Sequence, residues 1–433
     1  MKEPTSQVRI DAGPMTRLQY AVILICFLMN ILDGMDVLVI SYCAPAIASS
    51  WGVSPEALGI VFSAGLAGMT IGALLIAPFA DRIGRRNMIL LSALLMGTGM
   101  YLTSYADSVS ALITLRFLSG LGIGSMLAST AALTSEYTPD RTKAFWVSLV
   151  IAGYPVGAVL SGLVAAEVVP SSGWQAMFRI AGLASFVTLP LIWIFLSESI
   201  EFYLKKQPRN ALARINRLLQ RMGRPALEAL PPKPAPSGAI PVRHLLGRDY
   251  AQSTIRLWAA LFMAFGALYF LTSWIPNLAT NAGLSMSLAI YAGTVFNGGA
   301  FIGILVQGYF SSRIGQRRTI GVFFLLTALL MAVFRVFIGS DILLFVFGLL
   351  GFGIQGGFVG LYAIAAKLYP TEFRTTGVGW AIGCGRLGGV IGPAVGGLLV
   401  GMGLTMSTTF LIFALPTLLA GFATMRIPSK SIT

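Results

Sequence analysis

Residues 81–86 read Asp-Arg-Ile-Gly-Arg-Arg, and residues 312–317 read Ser-Arg-Ile-Gly-Gln-Arg. The two stretches are 231 positions apart, and each lies between two long apolar segments. The same offset relates three further pairs of positions: Gly120 and Gly351, Pro139 and Pro370, Gly157 and Gly388. One offset that holds at several separate places indicates that the chain consists of two repeats.

The composition around these stretches is that of a membrane protein. Hydrophobic residues make up 56% of the 433 positions and charged residues only 11%, whereas soluble proteins carry about 25% charged residues. Only helices and closed barrels satisfy their backbone hydrogen bonds in lipid, and the apolar runs are long enough for helices. The sequence therefore predicts an all-α membrane protein with twelve transmembrane helices. The predicted spans are residues 19–45, 57–79, 87–106, 109–134, 143–167, 174–196, 253–278, 285–310, 319–338, 342–366, 376–401 and 405–425.

The 30 lysines and arginines support one threading of these spans. With both termini in the cytoplasm, all but four fall in cytoplasmic tails and loops, as the positive-inside rule requires. The net charge of +14 therefore has a topological explanation, and no nucleic-acid partner is expected. The four exceptions lie within spans: Arg116, Arg179, Arg335 and Arg386. Arg179 and Arg335 lie near span ends, where their side chains reach water, and we interpret them as structural.

The spans divide into two groups of six. We predict an N-terminal six-helix bundle at residues 1–198, a basic and Pro-rich cytoplasmic linker at residues 199–250, and a C-terminal six-helix bundle at residues 251–433. Equivalent loops lie on the same side, so the halves are related by a pseudo-two-fold axis along the membrane normal. Such parallel repeats place a substrate site at mid-membrane between two halves that rock for alternating access. We expect a monomer.

Three stretches resemble the major facilitator superfamily. Residues 81–86 resemble its signature loop after the second helix, although Ala77 stands where that motif usually begins with Gly. Arg116, followed by a run of alternate glycines at 120, 122 and 124, resembles its fourth-helix motif. Gly153, Gly157 and Gly162 resemble its Gly-rich fifth-helix motif. The resemblance covers nearly the whole chain and implies the twelve-helix transporter fold.

A narrower resemblance is to the aromatic acid:proton symporter family. It rests on Asp33-Gly34-Met35-Asp36 and on residues 369–374, 377–380 and 385–388 of the second half. Ser312 departs from the family, which usually has an acidic residue there, and Ser197 replaces the Pro of its usual Pro-Glu-Ser. The resemblance implies proton-driven uptake of acids such as 4-hydroxybenzoate, protocatechuate or benzoate across a bacterial inner membrane.

The charges inside spans are candidates for function because each costs several kcal/mol in lipid. Asp33 and Asp36 are three residues apart on one helix face, and burial favours the protonated form of a carboxylate. We predict that these two aspartates carry protons and that Arg116 pairs with the ionised form. A static ion pair that locks the first and fourth helices is the alternative. Their repeat equivalents are Ala264, Ala267 and Phe347, so each charge belongs to one half only.

Arg386 is the predicted site for the substrate carboxylate. A guanidinium binds a carboxylate through two parallel hydrogen bonds, and the glycines around Arg386 permit close helix approach. A packing role in an ion pair is the alternative. Polar and aromatic residues of the second half are the predicted lining of the site, where rings stack on a ring substrate. They are Asn297, Gln355, Tyr269, Trp274, Tyr362 and Trp380.

A cytoplasmic gate is predicted where the basic loops meet the helix ends. Its residues are Asp81, Arg82, Arg85, Glu136 and Arg374. For Glu136 the alternative is a solvated charge at a helix end.

Other functional classes fit the sequence less well. We expect no cofactor, with protons as the coupling ion, although buried carboxylates also suit sodium. The single histidine, the absence of metal-ligand spacing and the three cysteines within apolar spans argue against an enzyme. A receptor would usually add a signalling domain, and the one sizeable loop is Pro-rich. A symporter of a non-aromatic acid and a proton antiporter for export are the alternatives within transport.

Overall fold

The chain folds as an all-α protein in a computed structural model that describes residues 14–232, 243, 245–247, 250–370 and 374–428. Within these ranges, ten helices are long and apolar enough to cross a membrane. Two shorter helices complete the set of twelve, which we number α1 to α12 in chain order. Their bounds are Arg17–Trp51, Pro55–Ile83, Arg85–Thr103, Val109–Tyr137, Asp140–Ser172, Trp174–Phe195, Ala251–Asn281, Met286–Ile314, Gln316–Ala332, Leu343–Leu368, Arg374–Gly401 and Met406–Met425.

The two repeats coincide at the level of helix ends. Helix α2 (Pro55–Ile83) and helix α8 (Met286–Ile314) begin and end 231 positions apart. Gly84 and Gly315, which follow them, have φ values of 100° and 91°, where only glycine is comfortable. The predicted fold of two six-helix halves is confirmed.

The segment between α6 and α7 forms two short helices, Ile200–Lys206 and Ala211–Arg221. Most of the predicted Pro-rich run, from Lys233 onward, lies outside the described residues, as does His244. The predicted domain boundaries at residues 199 and 250 stay a prediction. Residues 371–373 of the motif that precedes α11 are also outside the described part of the chain.

Several helices differ in detail from the predicted spans. Helix α2 passes through a π turn at Gly72–Ile76 and a 3-10 turn at Ala77–Phe79, because Pro78 has no N–H to donate to the preceding turn. Helix α5 is interrupted at Ala152. The ninth span was predicted to reach residue 338, but α9 ends at Ala332 and a 3-10 turn follows at Phe334–Phe337.

Small residues bring equivalent helices of each half into backbone contact. A Cβ at Gly72 of α2 would lie 2.2 Å from the carbonyl oxygen of Leu121 in α4. A Cβ at Gly303 of α8 would lie 2.1 Å from the carbonyl oxygen of Phe352 in α10. Close approach at small residues is typical of helices packed in lipid, where burial of apolar surface gives little driving force.

The two halves meet tightly at one end of the molecule. We call the side where α1 begins and α12 ends the terminal face, and the other side the opposite face. Near the opposite face, Ser41 Oγ donates to the carbonyl of Thr272 at 2.7 Å, and Ser63 Oγ donates to the carbonyl of Val390 at 2.6 Å. A Cβ at Gly397 would lie 2.6 Å from the Pro55 carbonyl oxygen. These contacts join α1 to α7 and α2 to α11, so the halves are closed at the opposite face.

Candidate functional site

The two aspartates of α1 are in the interior of the protein. Asp33 and Asp36 are 1% and 0% exposed. Gly34 lies between them, and a Cβ there would be 1.9 Å from the carbonyl oxygen of Tyr154 in α5. The glycine therefore permits backbone contact between α1 and α5 at the level of both carboxyl groups.

Arg116 of α4 lies beside Asp36 but binds its backbone. Arg116 Nη2 donates to the carbonyl oxygen of Asp36 at 3.0 Å, and Nη1 contacts Met100 Sδ at 2.8 Å. Among the described residues, neither carboxyl oxygen of Asp36 has a hydrogen-bond partner. The charge of Arg116 still acts on Asp36 and on Cys43. The predicted partners are neighbours, and their hydrogen bond runs through the main chain.

Asp33 faces the second half of the molecule. The positive charge that acts on it is Arg386 of α11. Tyr269 of α7 and Tyr362 of α10 both interact with Arg386, and Tyr154 of α5 interacts with Asp33 and Tyr269. One carboxyl group, one guanidinium and three phenols from both halves thus interact electrostatically, although no ion pair within 4.0 Å joins Asp33 to Arg386 among the described residues.

An aromatic wall stands beside Arg386. Phe265 stacks on Tyr269 with ring centres 5.9 Å apart and meets Phe358 edge to face at 4.6 Å. Phe358 in turn meets Tyr362 at 5.3 Å. A Cβ at Gly385 would lie 2.4 Å from the Phe265 ring, so the glycine next to Arg386 leaves room for this wall. The wall and the guanidinium together offer an apolar surface with a cation at its edge.

A narrow cavity lies beside Arg116 at the boundary between the halves. Its walls come from α1, α2 and α4 of the first half and from α7 of the second half. Arg116 and Tyr269 both line it. Ser41 and Thr272, whose hydrogen bond joins the halves, also line it.

Three predicted binding residues make their contacts elsewhere, and Gln355 is known by its burial. Trp274 is fully buried near the opposite face, where its Nε1 donates to the carbonyl of Pro393 at 2.9 Å. Asn297 Nδ2 donates to the carbonyl of Gly293 on its own helix at 2.9 Å. Trp380 is 48% exposed and stacks on Trp258, with ring centres 6.2 Å apart. Gln355 is half-buried in α10.

Three of the five predicted gate residues form an ion-pair network, and the other two make separate contacts. Arg85 Nη1 lies 2.5 Å from Asp81 Oδ1, and Arg85 Nη2 lies 3.5 Å from Glu136 Oε1. Arg82 instead lies 5.3 Å over the Phe79 ring. Arg374 belongs to the second half, where its Nε donates to the carbonyl of Tyr369 at 3.2 Å. The network of Asp81, Arg85 and Glu136 therefore joins the ends of α2, α3 and α4 within the first half.

Glu198, just after α6, was not among the predicted site residues. Its Oε1 accepts hydrogen bonds from the backbone N–H groups of Arg85 at 2.8 Å, Arg86 at 3.3 Å and Ser199 at 2.9 Å. Burial raises the pKa of Glu198, and these hydrogen bonds oppose the shift. The free N–H groups at the start of α3 were the available signal, because a buried helix N-terminus needs acceptors.

Tyr154 was also missed. It occupies the position equivalent to Gly385, the residue next to Arg386. That relationship was the signal in the sequence, because equivalent positions of two parallel repeats face the same central axis.

Comparison with known proteins places the chain in a family. The family model described as Major Facilitator Superfamily matches residues 26–296 and 257–431. The chain is 33% identical over 430 residues to the 4-hydroxybenzoate transporter PcaK of Pseudomonas aeruginosa, covering 97% of this chain and 94% of the relative. It is 31% identical to a gallate transporter of Pseudomonas putida, covering 96% and 93%. It is 29% identical to a benzoate transport protein of Acinetobacter baylyi, covering 95% and 90%.

Solved structures show the same fold. The inward open conformation of the xylose transporter XylE from E. coli matches with a TM-score of 0.72 at 14% identity, over 96% of this chain and 98% of that chain. A bacterial homologue of the human lysosomal transporter Spinster, in an inward-facing and occupied conformation, matches with a TM-score of 0.71 at 17% identity, over 96% of each chain. The chain therefore belongs to the Major Facilitator Superfamily, within its family of aromatic acid transporters, and it is a multi-pass membrane transporter rather than an enzyme.

Proposed function

We propose that this transporter imports a small aromatic carboxylate together with protons by alternating access. The observation that carries the proposal is the group formed by Asp33, Arg386 and the phenols of Tyr154, Tyr269 and Tyr362 at the boundary between the halves. The names of the relatives, which are transporters of 4-hydroxybenzoate, gallate and benzoate, support a ring acid as the substrate.

Arg386 and the aromatic wall suit the two parts of such a molecule. The guanidinium offers a carboxylate two parallel hydrogen bonds. The rings of Tyr269 and Tyr362 belong to the wall beside it and offer an aromatic ring edge-to-face or offset stacking, worth about 0.5–1.5 kcal/mol per pair. An acid with a ring uses both features at once, and an aliphatic acid uses only the first.

Asp33 is the proposed proton carrier that couples to this site. Its side chain is almost completely buried, and Oδ1 has no hydrogen-bond partner in the described part of the protein. An ionised carboxylate in such surroundings needs a counter-charge, and Arg386 is the one that acts on it. Ionised Asp33 and the substrate carboxylate therefore compete for one guanidinium. Protonation of Asp33 removes the competitor, so a proton and a substrate bind together.

Asp36 and Arg116 are proposed to form a second proton-sensitive pair within the first half. Arg116 holds the main chain of Asp36, while the carboxyl group of Asp36 has no hydrogen-bond partner among the described residues. This arrangement leaves the carboxyl group free to accept a proton without breaking the hydrogen bond that positions α1 against α4.

Orientation completes the proposal. Basic loops lie at the terminal face, and the positive-inside rule assigns that face to the cytoplasm of a bacterial inner membrane. The halves are joined at the opposite face through Ser41 and Ser63, which corresponds to an inward-facing state. Asp81, Arg85 and Glu136 are the proposed gate residues at the cytoplasmic face, and we propose that a monomer suffices for transport.

The test is uptake of radiolabelled 4-hydroxybenzoate, gallate and benzoate into proteoliposomes with an imposed inward proton gradient. We expect gradient-dependent accumulation of at least one acid, and loss of that accumulation in an Asp33→Asn variant. Asp107→Asn is the matched control, because Asp107 is exposed in the loop before α4, and it should accumulate substrate as the wild type does. Failure of the folded protein to accumulate any ring acid with the gradient refutes the proposal.

A further inference from the structure

An open apolar groove runs along the outer surface of the first half. Leu90, Leu91 and Leu94 of α3 form one wall. The other wall comes from α6 and consists of Leu189, Pro190, Trp193 and Ile194. The groove encloses about 490 Å³. Pro190 is in its wall, and a proline inside a helix removes one backbone hydrogen bond of the preceding turn. Since α3 begins and α6 ends at the terminal face, the groove lies in the half of the membrane next to that face.

An arginine lies against one residue of this groove. Arg86 lies 4.9 Å from the ring centre of Trp193, and Trp193 is both a groove residue and 64% exposed. Arg86 Nη2 donates to the carbonyl oxygen of Trp193. Its Nε is buried and has no hydrogen-bond partner among the residues the structure describes. A guanidinium has five N–H donors, so the two donors on Nη1 and the second donor on Nη2 remain for a ligand.

The neighbouring acidic groups are engaged by other partners. Asp81 and Glu136 contact Arg85, and Glu198 accepts from the backbone N–H groups at the start of α3. No ion pair within 4.0 Å includes Arg86 in the described ranges. The positive charge of Arg86 therefore remains uncompensated where an apolar groove reaches the membrane surface.

We propose that the groove between α3 and α6 binds a phospholipid with an anionic headgroup. Arg86 holds the phosphate, and an acyl chain lies along Leu91 and Leu94. Basic pockets between transmembrane helices are known to hold anionic headgroups, and tryptophan settles at the membrane interface. Arg86 is also next to Arg85, so an occupied groove fixes the loop that carries the ion-pair network of the terminal face.

A second groove in the molecule provides a contrast. It lies between α9 and α10, encloses about 360 Å³, and is lined by uncharged residues such as Leu326, Leu330 and Phe352. Such a groove accepts acyl chains of any lipid. Headgroup selection is assigned to the α3–α6 groove because Arg86 contacts Trp193, one of its lining residues.

The test is native mass spectrometry of the delipidated protein with phosphatidylglycerol or phosphatidylcholine of identical acyl chains. The wild type should bind its first phosphatidylglycerol molecule more tightly than its first phosphatidylcholine molecule. Arg86→Gln should lower that preference roughly fivefold, the effect of one basic residue near an anionic surface. Arg317→Gln is the matched control, because Arg317 is the repeat equivalent of Arg86 and donates to the carbonyl of Ile427 in the second half instead of contacting Trp193. It should keep the preference.

Two further measurements distinguish binding of the whole lipid from binding of a phosphate group alone. Leu94→Trp fills the groove and should weaken binding of the first phosphatidylglycerol, which decides the question if Arg86→Gln does not fold. Glycerol 3-phosphate at the same concentration should not displace the lipid; displacement would identify a phosphate site without a lipid site and refute the proposal. Equal affinity for the two lipids in the wild type, or an unchanged preference in Arg86→Gln, also refutes it.

Discussion

Gly34 is the position where one methyl group should disturb the proton site most directly. In Gly34→Ala the new Cβ would lie 1.9 Å from the carbonyl oxygen of Tyr154. Carbon and oxygen atoms in proteins approach to about 3.3 Å. Helices α1 and α5 must therefore separate by roughly 1.4 Å, and because the clash is with main chain, no side-chain rotation relieves it.

The cost follows from this separation. Overpacking of a close-packed interior costs about 1–3 kcal/mol, whereas replacing Gly by Ala within a helix gains about 0.5–1 kcal/mol from backbone entropy. Gly298→Ala in α8 isolates the steric part, because a Cβ at Gly298 has no atom within 4 Å and the helix-propensity gain is the same. Gly34→Ala should thus be about 1–3 kcal/mol less stable than Gly298→Ala.

The assay is thermal unfolding in detergent, followed by tryptophan fluorescence, with proton-driven uptake measured on the same preparations. We expect Gly34→Ala to unfold at a lower temperature than Gly298→Ala and to transport more slowly, since Asp33 and Asp36 move with α1. A melting temperature of Gly34→Ala equal to or above that of Gly298→Ala would show that α1 and α5 are not in backbone contact, and the geometry of the site given above would be wrong.

Three other predictions address the charges. Arg386→Lys keeps the charge but loses the two parallel hydrogen bonds, so the KM for substrate should rise roughly tenfold; an unchanged KM would exclude Arg386 from substrate binding. Asp33→Asn should abolish gradient-driven accumulation while substrate exchange without a gradient continues; loss of both would assign Asp33 to substrate binding instead. Burial raises the pKa of Glu198, so the folded state holds the proton of this carboxyl group more tightly than the unfolded chain does. The resulting stability is present at low pH and is lost as the pH rises through the raised pKa. The melting temperature of the wild type should therefore fall more steeply than that of Glu198→Gln as the pH rises above about 4.3, and parallel curves would contradict the assignment.

Much of the architecture could be predicted because the bilayer leaves few choices. A chain with apolar runs of span length must form helices, and the basic loops then fix their threading. The 231-residue offset identified the repeat, and the helix ends of α2 and α8 obey it. Local breaks escaped prediction because they depend on single residues, such as Pro78 in α2.

The rotation of each helix was harder to predict than its existence. Spans are apolar on nearly all sides, so periodicity does not show which face meets the cavity and which meets lipid. Trp274 and Tyr269 therefore appeared to be equivalent candidates in the sequence. In the structure, Trp274 is buried near the opposite face, whereas Tyr269 interacts with Arg386. Glu198 escaped attention for a related reason, because its partners are main-chain N–H groups that any sequence would supply.

The charges within spans were informative because they break the repeat. Asp33 and Arg386 have Ala264 and Pro155 as their equivalents, so neither charge is needed for the fold that both halves share. These two unmatched charges interact electrostatically across the boundary between the halves. Their interaction therefore depends on how one half sits against the other. When alternating access moves the halves, the same movement changes the position of Arg386 relative to Asp33. This change couples proton binding at Asp33 to substrate binding at Arg386.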